Sequence, residues 1–345
     1  MQDLQNIADS DIQWEKLRGK TVMVTGASGM IGTYAVNTLL HLNDTKALGI
    51  RVIAVVRNPK KLLDENKSRP DFTVLCHDVT QPFTVDGSVD YIIHAASPAS
   101  PLIMKDNPVE TIAANTLGTF YTLTLAKEKG AQGYLYISSR EIYGQPAPEQ
   151  EFFYEDTYGF VDPLNARSCY PEGKKAAETM CVSFREEYGV NAKIARLAHT
   201  YGPFMSIDDG RVQADFLRNV LNKENILLKS EGTAVRTYTY IADAVDGLFR
   251  ILLNAEETVY NIGDENGKVS IRELAQLLVG LRPEEGLELV FDIPQGGTKG
   301  TAPFTAGILS SGKLRAIGWQ PRYTVAQGFD RTLRFLETER QEGRI

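Results

Sequence analysis

Short apolar runs recur along the first two-thirds of the chain, each followed by a longer stretch with apolar positions three and four apart. The runs are 21–25, 51–56, 72–76, 91–96, 134–138 and 191–197. Short apolar runs bounded by turn residues read as buried strands, and the 3.6-residue period between them reads as helix. The main helices are expected from the glycine-rich turn after Thr25 through Leu40, over 108–129, and over 171–188. Ser168 is the expected N-cap of the last, Pro171 suits its first turn, and Gly189 its end. Residues 1–18, polar with apolar residues at Leu4, Ile7, Ile12, Trp14 and Leu17, predict a short helical preamble. Strands alternating with helices specify an α/β fold: a right-handed, doubly wound parallel sheet with ligands beyond the carboxyl ends of its strands.

Beyond Pro203 the alternation loosens. A helix over 212–222, strands over 226–228 and 234–241, and helices over 243–253 and 270–281 precede a charged end at 337–345, with a Gly/Pro/Thr-rich loop at 294–305. The expected division is a main domain over 1–198 plus about 234–262, with a smaller interleaved α/β lobe over about 199–233 plus 263–345. Composition changes little in this picture. With 345 residues, 43% hydrophobic and 23% charged, the chain resembles an ordinary globular protein, and there is no internal repeat. A net charge of -7 argues against a nucleic-acid or anionic-membrane partner, while a few placed arginines still admit small anions. Cys76, Cys169 and Cys181 lack metal-ligand spacing, so no metal is expected, and a sparse odd set suits a reducing compartment. The start has no basic or apolar leader pattern and no apolar run approaches spanning length, so a cytoplasmic location is expected.

Chemistry enters at the strand ends. The first strand runs into Gly26-Ala27-Ser28-Gly29-Met30-Ile31-Gly32 and then a helix. That context lets backbone approach a pyrophosphate at a helix N-terminus, although a tight turn with nothing bound reads the same. Arg57, with Lys60 and Lys61, stands where an acidic residue would meet the ribose of NAD, and so leans toward NADP; a solvated basic loop is the plain alternative. Asp78 could take an adenine amino group or cap a turn. His94 is expected to be a satisfied strand-end histidine rather than a metal ligand, and Asn115 a buried amide fixing a neighbouring strand or a water. The fifth strand ends in Ser139-Arg140-Glu141, and Tyr170 and Lys174 stand four apart on one helical face. A strand-end hydroxyl beside a Tyr/Lys pair can move a proton off an alcohol while hydride leaves its carbon.

These residues resemble the extended short-chain dehydrogenases/reductases acting on nucleotide sugars, over most of the chain. Gly26/Gly29/Gly32 and Ser139/Tyr170/Lys174 carry the likeness. Within that group, 94–101, Asn107-Pro108, 115–119, Arg167-Ser168-Cys169-Tyr170-Pro171-Glu172-Gly173-Lys174 with 177–179, and 209–212 are similar to UDP-glucuronate decarboxylases. The resemblance implies a Rossmann domain, a nucleotide-sugar-binding smaller lobe, NAD as cofactor, a nucleotide-sugar substrate that is UDP-linked, and a homodimer through helices 108–129 and 171–188. It places the cofactor against Gly26, Ser28, Gly29, Met30, Ile31 and Gly32, against Arg57, Asp78 and Val79, and against Ala95, Ala96, Ser97 and Asn115. It makes Tyr170 the base, Lys174 the residue that lowers its pKa and holds the nicotinamide ribose, and Ser139 the partner of the reacting oxygen. Glu141 falls on an acidic position of decarboxylases and 4,6-dehydratases, Arg236 on the pyrophosphate grip, and Arg211 near the nucleotide.

Four departures bear on substrate and cofactor. Arg140 replaces a small residue, Met104 a tyrosine that reaches the substrate, His199 an asparagine on the nucleotide sugar, and Arg57 an acidic cofactor contact. Arg140 suits a carboxylate clamp, or else points away and pairs with a structural acid. A clamp would favour a carboxylate over its loss. The chemistry implied is oxidation at C4 of the sugar. The 4-ketone turns a C5 carboxylate into a β-keto acid that can lose carbon dioxide, with Glu141 assisting reprotonation. Epimerase, 4,6-dehydratase or keto-reductase chemistry would share the first step, and a non-catalytic relative would lose the intact Ser139/Tyr170/Lys174 set.

Overall fold

The computed structural model describes residues 2–147, 149–293 and 307–345. Its centre is a seven-stranded sheet in the order β11-β7-β5-β4-β1-β2-β3, every neighbouring pair parallel. These strands are β1 (Thr21–Thr25), β2 (Arg51–Val56), β3 (Phe72–Cys76), β4 (Tyr91–His94), β5 (Gly133–Ser139), β7 (Ala192–Leu197) and β11 (Val259–Ile262). Helices α1 (Gln2–Ala8), α2 (Met30–Lys46), α3 (Asp64–Lys67), α4 (Pro101–Asp106), α5 (Pro108–Lys129), α6 (Cys169–Tyr188) and α8 (Ile241–Asn254) flank or connect them. β1 and β4 are buried along their whole length, as a parallel sheet covered on both faces requires. The doubly wound expectation is met.

The remaining strands build small sheets beside the large one. β8 (His199–Tyr201), β10 (Val235–Tyr240) and β12 (Lys268–Ser270) form one; β9 (Ile226–Leu228) pairs β13 (Leu289–Phe291), and β6 (Phe152–Phe153) pairs β14 (Ile308–Leu309). They are accompanied by α7 (Val212–Leu221), α9 (Ile271–Gly280), α10 (Gly312–Ala316) and α11 (Val325–Gln341). α9 and α11 each begin with a capping box, Ser270 with Glu273 and Thr324 with Gln327. The chain enters the three-stranded sheet at β8, only two residues after β7, and returns to the large sheet at β11.

Two local expectations need correction. α2 continues past Leu40 to Lys46 and stops at Ala47 in the left-handed region (φ 50°). Its last turns are held by Asn43, whose side chain bonds both backbone groups of Ile50 and the Asp71 carboxylate. Ser168 does not cap α6, because its hydroxyl donates instead to the Asp162 carbonyl at 2.5 Å. The Gly/Pro/Thr-rich loop at 294–305 lies outside the described residues.

Candidate active site

The carboxyl ends of β1, β4, β5 and β7 open onto a cleft of about 510 Å³, closed on its far side by residues of β8, α7 and β10. Gly26, Ser28, Gly29, Met30, Ile31 and Gly32 form one wall. Gly26 adopts φ +65°, and a Cβ there would stand 2.8 Å from the Ala95 carbonyl. At Gly32 a Cβ would fall 2.2 Å from the Gly26 carbonyl, so the start of α2 packs directly under the turn. At Gly29 it would meet only the Gly26 carbonyl, at 3.4 Å. No side chain caps α2. The turn is therefore tight behind and open in front, with first-turn N–H groups free to receive a phosphate. These features fit a dinucleotide.

Ser139, Arg140, Glu141, Tyr170 and Lys174 line the same cleft, with Ser97 and Ala95. The Ser139 hydroxyl ends β5 and accepts from the Glu141 N–H at 3.2 Å, in the cleft that Tyr170 also lines. Lys174 Nζ donates to the Ile137 carbonyl at 2.6 Å and lies 5.6 Å from the Tyr170 ring centre. Burial pushes the Lys174 ammonium down to about 7. It pushes the Tyr170 phenol up to about 12, a rise that the Glu141 charge adds to and the nearby Ser139 hydroxyl opposes. The expected lowering of the phenol by Lys174 is not found in the chain by itself, where desolvation outweighs the neighbouring charges.

Glu141 does not stand alone. Arg167 Nη2 donates to both of its carboxylate oxygens at 3.0 and 2.9 Å. Behind β5, Ser138 donates to Glu178 at 2.5 Å, and Arg196 grips the same carboxylate through Nε and Nη2. Arg196 Nη1 also reaches the Tyr143 hydroxyl, which donates to Asn261 on β11. This network fixes the turn that carries Arg140 and Glu141. Sequence reasoning passed over Arg167 in this role, since only folding brings it to Glu141.

Arg140 is buried, and no acid among the described residues pairs with it, so the reading in which it points away to a structural partner falls. Its neighbours His199, Arg211 and Arg236 line the same cleft. Arg211 pairs with Asp209 at 3.2 Å and donates to the Ala99 carbonyl at 2.5 Å; Arg236 Nη1 donates to the Val235 carbonyl at 2.8 Å. Burial, reinforced by Arg140, Arg236 and Arg211, pushes the His199 imidazole well down. Gln213 and Tyr238 also line the cleft and went unread. Tyr238 was detectable, two residues from Arg236 on one strand and therefore on the same face.

The rest of the expected set lies outside the cleft wall. Arg57 is exposed after β2. Asp78 accepts from the Thr80 N–H and hydroxyl at 2.9 and 2.8 Å, which is the turn-capping role. Val79 is core, and the Ala96 N–H donates to Thr25 at 3.2 Å. Asn115 accepts from Ser97 at 2.9 Å and from Tyr136 at 3.4 Å, tying the β4 loop to β5. His94 is only half satisfied: one ring nitrogen meets Thr25 at 2.7 Å while Nε2 has no partner among the described residues. Met104 packs under Tyr170 and Cys169 rather than reaching the cleft. Among the described residues no cluster could hold a metal and no helix is long and apolar enough to cross a membrane.

The model of the NAD dependent epimerase/dehydratase family matches residues 22–263. UDP-glucuronic acid decarboxylase 6 of Arabidopsis thaliana is 35% identical over 308 residues, covering 89% of this chain and 86% of that protein. UDP-glucuronic acid decarboxylase 1 of Xenopus tropicalis is 32% identical over 331 residues, covering 93% and 73%. Among solved structures, UDP-glucose 4-epimerase of Thermotoga maritima with UDP-glucose superposes with a TM-score of 0.76 at 22% identity, over 92% of this chain and 99% of that one. The dTDP-glucose 4,6-dehydratase DesIV of Streptomyces venezuelae with NAD gives 0.75 at 22% identity, over 93% and 98%. Match length and identity together place this chain in the NAD dependent epimerase/dehydratase family.

Proposed function

We propose that this chain oxidises the C4 alcohol of a UDP-linked sugar acid with a bound NAD, and that the resulting ketone loses carbon dioxide, as in UDP-glucuronate decarboxylases. One observation carries the reading: Ser139, Tyr170 and Lys174 share one cleft with the open glycine turn and with Arg211 and Arg236. When bound on that turn, NAD supplies a hydride acceptor at C4 and later a hydride donor.

The protein's own groups supply the proton chemistry. Tyr170 takes the C4 hydroxyl proton, with Ser139 holding the oxygen it leaves. A phenol near 12 is a weak base at neutral pH, so the positive charge gathered on binding, from Lys174 and a nicotinamide ring, has to bring it down. Arg211 and Arg236 grip the diphosphate. Glu141, oriented by Arg167, lies beside Ser139 and assists protonation at C5 after carbon dioxide leaves. The NAD in this reading takes support from the glycine turn; exposed Arg57 is compatible with NADP. The assembly proposed is a homodimer in which α5 and α6 pack against their copies, since Val109, Leu117, Phe120 and Val182 are exposed there.

The test is to incubate the NAD-loaded protein with UDP-glucuronate and follow released carbon dioxide and the nucleotide product by mass spectrometry. Release of carbon dioxide with a UDP-pentose or its 4-ketone supports the reading. Unchanged mass with altered C4 configuration transfers the chain to the epimerases.

A further inference from the structure

Unpartnered buried polar atoms recur along this cleft. Arg140 Nε and Nη2, His199 Nδ1, Gln213 Nε2 and the Tyr238 hydroxyl have no hydrogen-bond partner among the described residues, and all four residues line the cleft. Arg140 is only 8% exposed, and no carboxylate among the described residues pairs with it. A buried donor left without an acceptor is unfavourable, so a cluster of them marks a place where an acceptor is to be supplied. Nε and Nη2 are the two donors on one edge of the guanidinium. Their parallel N–H bonds match the two oxygens of a carboxylate.

Position distinguishes this arginine from its neighbours. Arg211 and Arg236 come from α7 and β10 on the far side of the cleft and already have protein partners. Arg140 follows Ser139 at the end of β5, in the cleft that Tyr170 and Lys174 also line. A group received there belongs to the sugar near its reacting carbon. Glu141, the adjacent acid, is turned to Arg167 and leaves the Arg140 fork unfilled.

We propose that Arg140, backed by His199 and Tyr238, is a carboxylate subsite that selects acidic nucleotide sugars over neutral ones and holds the carboxylate through C4 oxidation. The subsite rests on the C4-oxidation reading for the identity of the ligand as a nucleotide sugar. It also implies a division of effects. A guanidinium bonded to a carboxylate stabilises the bound acid more than the transition state in which that charge moves toward the C4 oxygen. Arg140 therefore gains affinity and restrains loss of carbon dioxide.

The experiment is calorimetric titration of NAD-loaded protein with UDP, UDP-glucose and UDP-glucuronate, for the parent chain, Arg140→Ser and Arg140→Lys. Arg140→Ser is expected to weaken UDP-glucuronate by about tenfold or more while UDP and UDP-glucose stay within about twofold, and Arg140→Lys to recover part of the loss. In single turnovers at saturating UDP-glucuronate, carbon dioxide release by Arg140→Ser is expected to hold or rise. Equal weakening of all three ligands would make Arg140 a diphosphate contact and overturn the subsite; so would unchanged UDP-glucuronate affinity. Selective binding through Arg140 with no carbon dioxide released by any variant would uphold the subsite and overturn the decarboxylase reading instead. Unchanged UDP affinity also shows that a variant is folded.

Discussion

Tyr170 and His94 are both buried, yet burial bears on them differently. In the proposed reaction Tyr170 becomes a base, so replacing its hydroxyl would remove a proton acceptor with little effect on shape. Tyr170→Phe is expected to lower turnover by about 10²–10⁴-fold with UDP-glucuronate affinity little changed, as rapid-quench and titration would show. His94 has the opposite task, remaining neutral. Burial, then the Lys174 charge, pushes its imidazole down to about 3, against an ordinary value near 6.5. Between those pH values the unfolded chain binds a proton that the folded chain refuses. The stability it contributes is complete above about 6.5 and falls toward about 3, at up to roughly 1.4 kcal/mol per pH unit. His94→Asn should flatten that slope in urea unfolding measured between pH 6.5 and 5. Ser139, Tyr170 and Lys174 were legible in the sequence because a strand end and a four-residue helical spacing are local patterns. Arg167 on Glu141 and the unpartnered fork of Arg140 were not, since both depend on which distant groups arrive or fail to arrive.

Among elements, the caps and the paired helices α5 and α6 make the clearest predictions. Ser270 and Thr324 each satisfy an N3 backbone donor and receive a reciprocal bond. Thr324→Ala should cost about 1 kcal/mol in chemical denaturation, whereas Ser168→Ala should leave α6 without the usual loss of a cap because that hydroxyl never caps it. On α5 the Phe120 ring is exposed and meets Phe184 of α6 edge to face, with centres 5.9 Å apart. If these helices pair with their copies, Phe120→Glu yields a monomer in sedimentation while the fold persists; a parent chain already monomeric would end the dimer proposal. Pro108 in the first turn and Gly130 just past the end bracket α5, which was readable to its last residue. The end of α2 was less readable because it is set by Asn43 reaching Ile50 and Asp71.

At the scale of the molecule, the small sheets were the least visible feature. β6 at Phe152–Phe153 pairs with β14 at Ile308–Leu309, and two-residue strands so far apart carry no local signal of their pairing. The same holds for Asp3. Its buried carboxylate accepts from Tyr34 at 3.0 Å, Tyr240 at 2.6 Å, Tyr323 at 3.1 Å and Arg331 at 2.8 Å. Asp3→Ala leaves several buried hydroxyls and a cation without their acceptor, and should cost about 3 kcal/mol or more in thermal unfolding. Asp3 and Arg331 are 328 positions apart. On a ribosome adding about 5–20 residues per second, that interval is roughly 15–65 s. Throughout it the first helix has only part of its final seat, so a nascent chain stalled before α11 should be cut by protease near its beginning, and one released after α11 should not.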